Sequence, residues 1–184
     1  MSDMKKIIQE MNLRTDKNSV HSYVDDFYEK EFSKYKKLKN PKILEIGTCY
    51  GDSLVLWAEF FENPTILGVD TIPNLNDLFK KYECVKFMLG NAYTENTIKV
   101  IENNFEKFDI IIDDGPHTFQ SHIYFMDNYE KLLAPGGVII VEDINQNFDL
   151  SEYTKRGFEI INLMHVKNGG IPEGDNILAV KRNV

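Results

Sequence analysis

The chain has 184 residues, with 21 Lys and Arg against 29 Asp and Glu for a formal charge of -8. That length suits one domain, and that charge disfavours binding to a phosphate backbone. The 42% hydrophobic and 12% aromatic content argues against disorder.

In chain order, residues 1–40 read as a charged helical lid segment. Apolar positions repeat at helical spacing over residues 24–32, and Asn40-Pro41 closes the segment. Its aromatic positions (Tyr23, Phe27, Tyr28, Phe32, Tyr35) either pack on a sheet or line an acceptor pocket or subunit interface, which leaves a homo-oligomer open. No apolar leader opens the chain, and no apolar run approaches the roughly 20 residues of a membrane span. Cys49 and Cys84 form no disulfide framework and sit in no metal spacing, so the expected location is the cytoplasm.

Residues 41–184 read as an α/β domain. Short apolar runs at 43–46, 65–69, 84–89, 108–112 and 138–141 suit strands buried on both faces. Amphipathic stretches at 53–61, 95–104 and 121–133 alternate with them, which predicts βαβ units and a parallel sheet. Two further strand-like runs, 158–166 and 176–181, flank a glycine-rich stretch at 168–174 and read as an antiparallel C-terminal hairpin.

In an open α/β sheet, ligands bind beyond the carboxyl ends of the strands. The first strand ends in Glu45-Ile46-Gly47-Thr48-Cys49-Tyr50-Gly51, where glycines allow a tight turn and close approach of a ligand. The second ends at Asp70, placed to bind ribose hydroxyls or to cap the next helix. The third ends in Gly90-Asn91-Ala92, where Asn91 reads an adenine edge or simply makes a turn. The fourth and fifth deliver Asp113-Asp114-Gly115-Pro116-His117 and Glu142-Asp143. Carboxylates crowded on one edge repel, and a hard divalent cation with oxygen ligands relieves that repulsion.

The glycine turn, Asp70 and Leu133-Ala134-Pro135-Gly136-Gly137 resemble the motifs of class I S-adenosylmethionine-dependent methyltransferases, whose fold is Rossmann-like with helices on both faces of the sheet. Asp113-Asp114-Gly115-Pro116-His117 with Val141-Glu142-Asp143 resembles more narrowly the metal-dependent sugar O-methyltransferases of macrolide biosynthesis, the mycinamicin type, and their bacterial and viral relatives. Residues 15–23, Thr-Asp-Lys-Asn-Ser-Val-His-Ser-Tyr, are similar to a segment of those relatives.

The resemblance implies that Gly47 and Gly51 hold the methionine moiety, Asp70 the ribose hydroxyls, and Asn91 and Ala92 the adenine. Glu45, Thr48, Thr71 and Asp113 would stand beside the cofactor too, with Lys17, His21 and Tyr23 lying over it or over the acceptor. Asp114, Glu142 and Asp143 would ligate Mg²⁺, and His117 would be the general base. Pro116 departs from the small polar residue of the macrolide enzymes, and His122 and His165 read as packed or surface residues. The 184 residues hold no counterpart of those enzymes' large N-terminal domain, so acceptor identity is not carried over.

The implied function is transfer of a methyl group to a hydroxyl of a small molecule, sugar or glycan, with no nucleic acid or membrane as partner. A cephalosporin-hydroxylase-like relative keeps a similar Asp, His and Glu-Asp set and is the enzymatic alternative. A non-catalytic nucleoside-binding module on the same fold is the other.

Overall fold

The computed structural model describes residues 1–73, 75, 77–164 and 175–183. Five strands alternate with helices: β1 (Lys42–Ile46), β2 (Thr65–Asp70), β3 (Val85–Leu89), β4 (Phe108–Asp113) and β5 (Leu133–Val141). All neighbouring pairs among these five are parallel, and the full sheet runs in the order β3-β2-β1-β4-β5-β7-β6. β7 (Ile177–Arg182) is antiparallel to both β5 and β6 (Glu159–Asn162). This is the mostly parallel, Rossmann-like arrangement with antiparallel C-terminal strands. The glycine-rich stretch 168–174 and His165 lie outside the described residues.

Alternation along the strands builds two cores. Ile43, Ile110, Ile112, Val138 and Ile140 face one side, while Leu44, Ile46, Ile111, Ile139 and Val141 face the other. The first side is covered by α1 (Asp3–Met11), the aromatic N-terminal residues and α4 (Asp52–Phe60). The second is covered by α5 (Glu95–Asn104), α6 (Phe119–Tyr129) and α7 (Ser151–Lys155).

Residues 1–40 form several short pieces rather than one helical run. Ser2 caps α1, which stops where Asn12 turns left-handed at φ 52°. Thr15 then caps a single turn, α2 (Asp16–Ser19). A π-helical turn over Val24–Tyr28 runs into α3 (Glu29–Phe32). The aromatic residues pack in the core: Tyr23, Tyr28 and Phe32 are fully buried, and Tyr28 and Phe32 set their rings edge-on to Trp57 at 5.4 and 5.1 Å. Each such pair contributes about 0.5–1.5 kcal/mol beyond the area it buries.

Two boundaries move from their predicted positions for local reasons. α6 begins at Phe119 because Thr118 and Ser121 cap each other's backbone reciprocally. β5 begins at Leu133 because Leu133 pairs with Phe108, and the Gly136 and Gly137 backbone bonds to Asn183.

Candidate active site

The carboxyl ends of β1 to β4 open onto one cleft of about 910 Å³, which residues 14–17 and α6 also line. The turn after β1 forms its floor. Gly47 and Gly51 both take positive φ, 80° and 84°, and Gly51 N–H donates to the Thr48 carbonyl at 2.7 Å. A Cβ on Gly47 would stand 1.8 Å from the Asp114 carbonyl oxygen, so only glycine lets β1 and β4 approach this closely here. Thr48 lines the cleft, and its buried Oγ1 has no hydrogen-bond partner.

Asp70 braces this floor. Its Oδ2 accepts from Cys49 N and its Oδ1 from Ile72 N, at 2.8 and 2.9 Å. Thr71, Asn91 and Ala92 line the same cleft. Asn91 also shapes its own turn, since its Oδ1 accepts from Tyr93 N at 2.9 Å. Gly51, Glu45 and Asp113 are absent from the cleft wall among the described residues. Gly51 opens α4, Glu45 is wholly buried and accepts from Trp57 Nε1 at 2.8 Å, and Asp113 accepts a hydrogen bond from Tyr93. Burial pushes the Asp113 carboxyl up to about 7, against the opposing hydrogen bond from Tyr93.

On the opposite wall stands His117. Its Nε2 lies 3.1 Å from Asp114 Oδ1 and 3.6 Å from Asp143 Oδ2. Burial disfavours charge on this imidazole, but the hydrogen bond to Asp114 and the charges of Asp143, Asp114 and Asp113 outweigh it, raising it to about 9. His117 (φ 51°) and Asp143 (φ 53°) are both held in the left-handed region, as is Cys49 in the floor (φ 48°). Strain at non-glycine residues clusters at working sites, and here it comes from three separate loops.

Asp143 is shared between two sets of ligand-type groups, Asp114/His117/Asp143 and Asp16/His21/Asp143. Within each set the ligand atoms lie within 4.8 Å of one another, a spacing that fits one divalent cation. His21 and Tyr23 are not in the cleft wall; Tyr23 donates its hydroxyl to Asp143 Oδ1 at 2.7 Å, and His21 Nε2 lies 3.5 Å from the same oxygen.

Glu142 belongs to neither set. Its two oxygens accept from Lys17 Nζ at 2.8 and 2.9 Å, and Tyr28 also donates to it. The same ammonium reaches Asp114 Oδ2 at 2.5 Å and Glu45 Oε1 at 3.4 Å. Burial disfavours the charge on Lys17, but Asp114, Glu142, Glu45 and Asp16 outweigh it and hold it well above the ordinary lysine range.

Sequence reasoning did not single out Arg14, Gln120 or Tyr124, all in the cleft wall. It also missed Tyr93 and Tyr28 as donors to Asp113 and Glu142. His122 is buried on α6 with Nδ1 2.8 Å from the Tyr153 hydroxyl, a packed residue as its helical position suggested. No helix among the described residues is long and apolar enough to cross a membrane.

A mostly parallel sheet with a glycine turn after β1 and an acid ending β2 defines a Rossmann-like architecture. The sequence pattern of the methyltransferase domain family matches residues 44–144, more than half the chain, and the chain belongs to that family. It is 23% identical over 141 residues to an 8-demethyl-8-alpha-L-rhamnosyl tetracenomycin-C 2'-O-methyltransferase of Streptomyces olivaceus, covering 73% of this chain and 36% of that protein. To the mycinamicin VI 2''-O-methyltransferase of Micromonospora griseorubida it is 27% identical over 128 residues, covering 64% of this chain and 30% of that one.

Among solved structures it is similar to the MycE methyltransferase of the mycinamycin pathway. In the complex with Mg, SAH and mycinamycin VI, the TM-score is 0.65 at 24% identity, over 77% of this chain and 37% of that chain. In a complex with Mg and SAH it is 0.56 at 26% identity, over 63% and 31%. The chain thus spans about a third of the length of the relatives it matches.

Proposed function

We propose that this chain binds S-adenosylmethionine in the cleft and transfers its methyl group to a hydroxyl, of a sugar or other small glycan acceptor, with help from a divalent cation such as Mg²⁺. The observation that carries this reading is convergence. Gly47 of the glycine turn, Asp70, Asp114 and His117 come from the ends of different strands and line one cleft, with Asp143 3.6 Å from His117. The orphaned Thr48 Oγ1 supplies a polar partner where a bound molecule would lie, and the acidic lining suits a sulfonium. The chain's net charge weighs against nucleic acid as acceptor. Its two free cysteines fit a reducing, cytoplasmic setting.

The residues have separable tasks. The glycine turn and Asp70 fix the cofactor's direction, because transfer needs the acceptor oxygen in line with the departing methyl. Asp114 and Asp143 would hold the divalent cation, which when bound lowers the pKa of an acceptor hydroxyl and fixes its orientation. His117 takes the hydroxyl proton in its deprotonated form. Asp114, Asp143 and Asp113 favour the imidazolium and raise its pKa to about 9, so the base form grows as pH rises towards that value.

Two measurements test the proposal. Calorimetry with S-adenosylhomocysteine, with and without Mg²⁺, should show cofactor binding that responds to the metal. Incubation with a panel of glycans and nucleotide sugars should then transfer radiolabelled methyl to one class. No binding of S-adenosylhomocysteine would end the reading.

A further inference from the structure

The ammonium of Lys17 is 1% exposed and stands among three carboxylates. An ammonium has three N–H donors and accepts nothing. Here they face Asp114 Oδ2, the Glu142 carboxylate and Glu45 Oε1. Trp57 also donates to Glu45 Oε2 and Tyr28 to Glu142 Oε1, while Glu45 Oε1 has only the 3.4 Å ion pair with Lys17 and no hydrogen bond. β-strand alternation explains the meeting. Glu45 and Glu142 project to the face covered by the N-terminal aromatic residues, and Thr15, by capping α2, places Lys17 on that face too.

A divalent cation bound by Glu142 would stand against this ammonium, and like charges in a buried space repel strongly. The cation and Lys17 therefore compete for Glu142. Asp114 does not face that choice, because Oδ2 goes to Lys17 while Oδ1 faces His117. Asp143, which makes no contact with Lys17, turns Oδ2 towards His117.

We propose that Lys17 is the resident cation of this carboxylate cluster, that Glu142 serves it in place of a metal, and that its hold on Asp114 Oδ2 aims the other Asp114 oxygen at the cleft. Lys17 is then a positioning residue. The part concerning a divalent cation rests on the reading given under Proposed function; the Lys17–Glu142 partnership stands without it.

The test titrates Mn²⁺ into the whole chain, following free Mn²⁺ by electron paramagnetic resonance, and pairs this with thermal denaturation. Asp143→Asn should weaken Mn²⁺ at least about tenfold, whereas Glu142→Gln should leave it within about threefold. Lys17→Met should tighten Mn²⁺ about tenfold by releasing Glu142 and Asp114 oxygens, and Lys17→Met/Glu142→Gln should lose that gain.

An equal loss in Glu142→Gln and Asp143→Asn overturns the proposal, as does unchanged or weaker Mn²⁺ binding in Lys17→Met where the wild type binds it. In denaturation, the double variant should melt above Lys17→Met, because neutralising Glu142 removes one of the buried carboxylates that Lys17→Met leaves without their cation; additive losses overturn the partnership. Should Lys17→Met not fold, Glu142→Gln and the double variant still decide. Absence of Mn²⁺ binding in every protein, with the melting coupling intact, defeats the metal-assisted reading and leaves the Lys17–Glu142 partnership standing.

Discussion

Asp70 Oδ2 accepts a hydrogen bond from Cys49 N at 2.8 Å, tying the end of β2 to the glycine turn after β1. One carboxylate therefore supports the cleft floor and would face the ribose. Asp70→Ala should weaken S-adenosylhomocysteine by about tenfold or more, since a hydrogen bond to a charged group contributes about 1.5–3 kcal/mol. Calorimetry checks this. Full affinity in the variant would remove Asp70 from the cofactor site.

His117→Ala should keep cofactor binding and lose methyl transfer by about 10²–10⁴-fold, the range of a general base. A single-turnover assay with the acceptor found by the methyl-transfer screen measures it. Unchanged turnover would reassign the base.

Two glycines with similar φ should respond differently. Gly47→Ala puts a Cβ 1.8 Å from the Asp114 carbonyl oxygen, whereas at Gly136 (φ 76°) nothing lies within 4 Å. Gly136→Ala should then cost only the left-handed strain, about 1–2 kcal/mol. Gly47→Ala adds a backbone clash and should cost more than that, with loss of cofactor binding. Chemical denaturation of both variants compares them directly. Equal costs would mean that β1 and β4 separate easily.

Acid should dissolve one specific brace. Burial disfavours the Glu31 carboxylate, but hydrogen bonds from Arg182 and Lys34 outweigh it and hold its pKa below the ordinary 4.5. A depressed folded pKa means that the contribution is complete above about pH 4.5 and fades as pH falls through the lower folded value. Melting curves from pH 7 to pH 3 should show wild type and Glu31→Gln well separated at pH 7 and converging in acid. A gap independent of pH would show that packing, not charge, sets Glu31's contribution.

The sheet was legible because burial on both faces leaves nearly continuous apolar runs, and Ile110-Ile111-Ile112 could scarcely be anything else. The strand-end rule then located Asp70, Asp114 and His117 on one cleft. What sequence did not reveal is which face each side chain takes once the chain turns. Glu142 and Asp143 are neighbours in sequence, yet one meets Lys17 and Tyr28 while the other meets Tyr23 and His117. Partners 114 to 125 residues away, such as Tyr28 and Lys17 for Glu142, leave no local pattern to read. The same holds at the N-terminus, where a charged, helical reading gave no sign that the Thr15 cap and the left-handed Asn12 would divide the segment into short pieces.

Among the described residues, five besides glycine take positive φ. Asn12 and Asn63 lie away from the site, whereas Cys49, His117 and Asp143 lie in the loops that build it, and of these only Cys49 is of a type not enriched at positive φ. Glycine at any of these three would relax the backbone by about 1 kcal/mol. A search for hardier variants of this chain, scored on melting temperature alone, would be drawn to these positions. At His117 and Asp143 it would erase the imidazole and the carboxylate that meet at 3.6 Å. Thermal robustness and chemistry are set against each other at single residues, and a stability screen should hold those positions fixed.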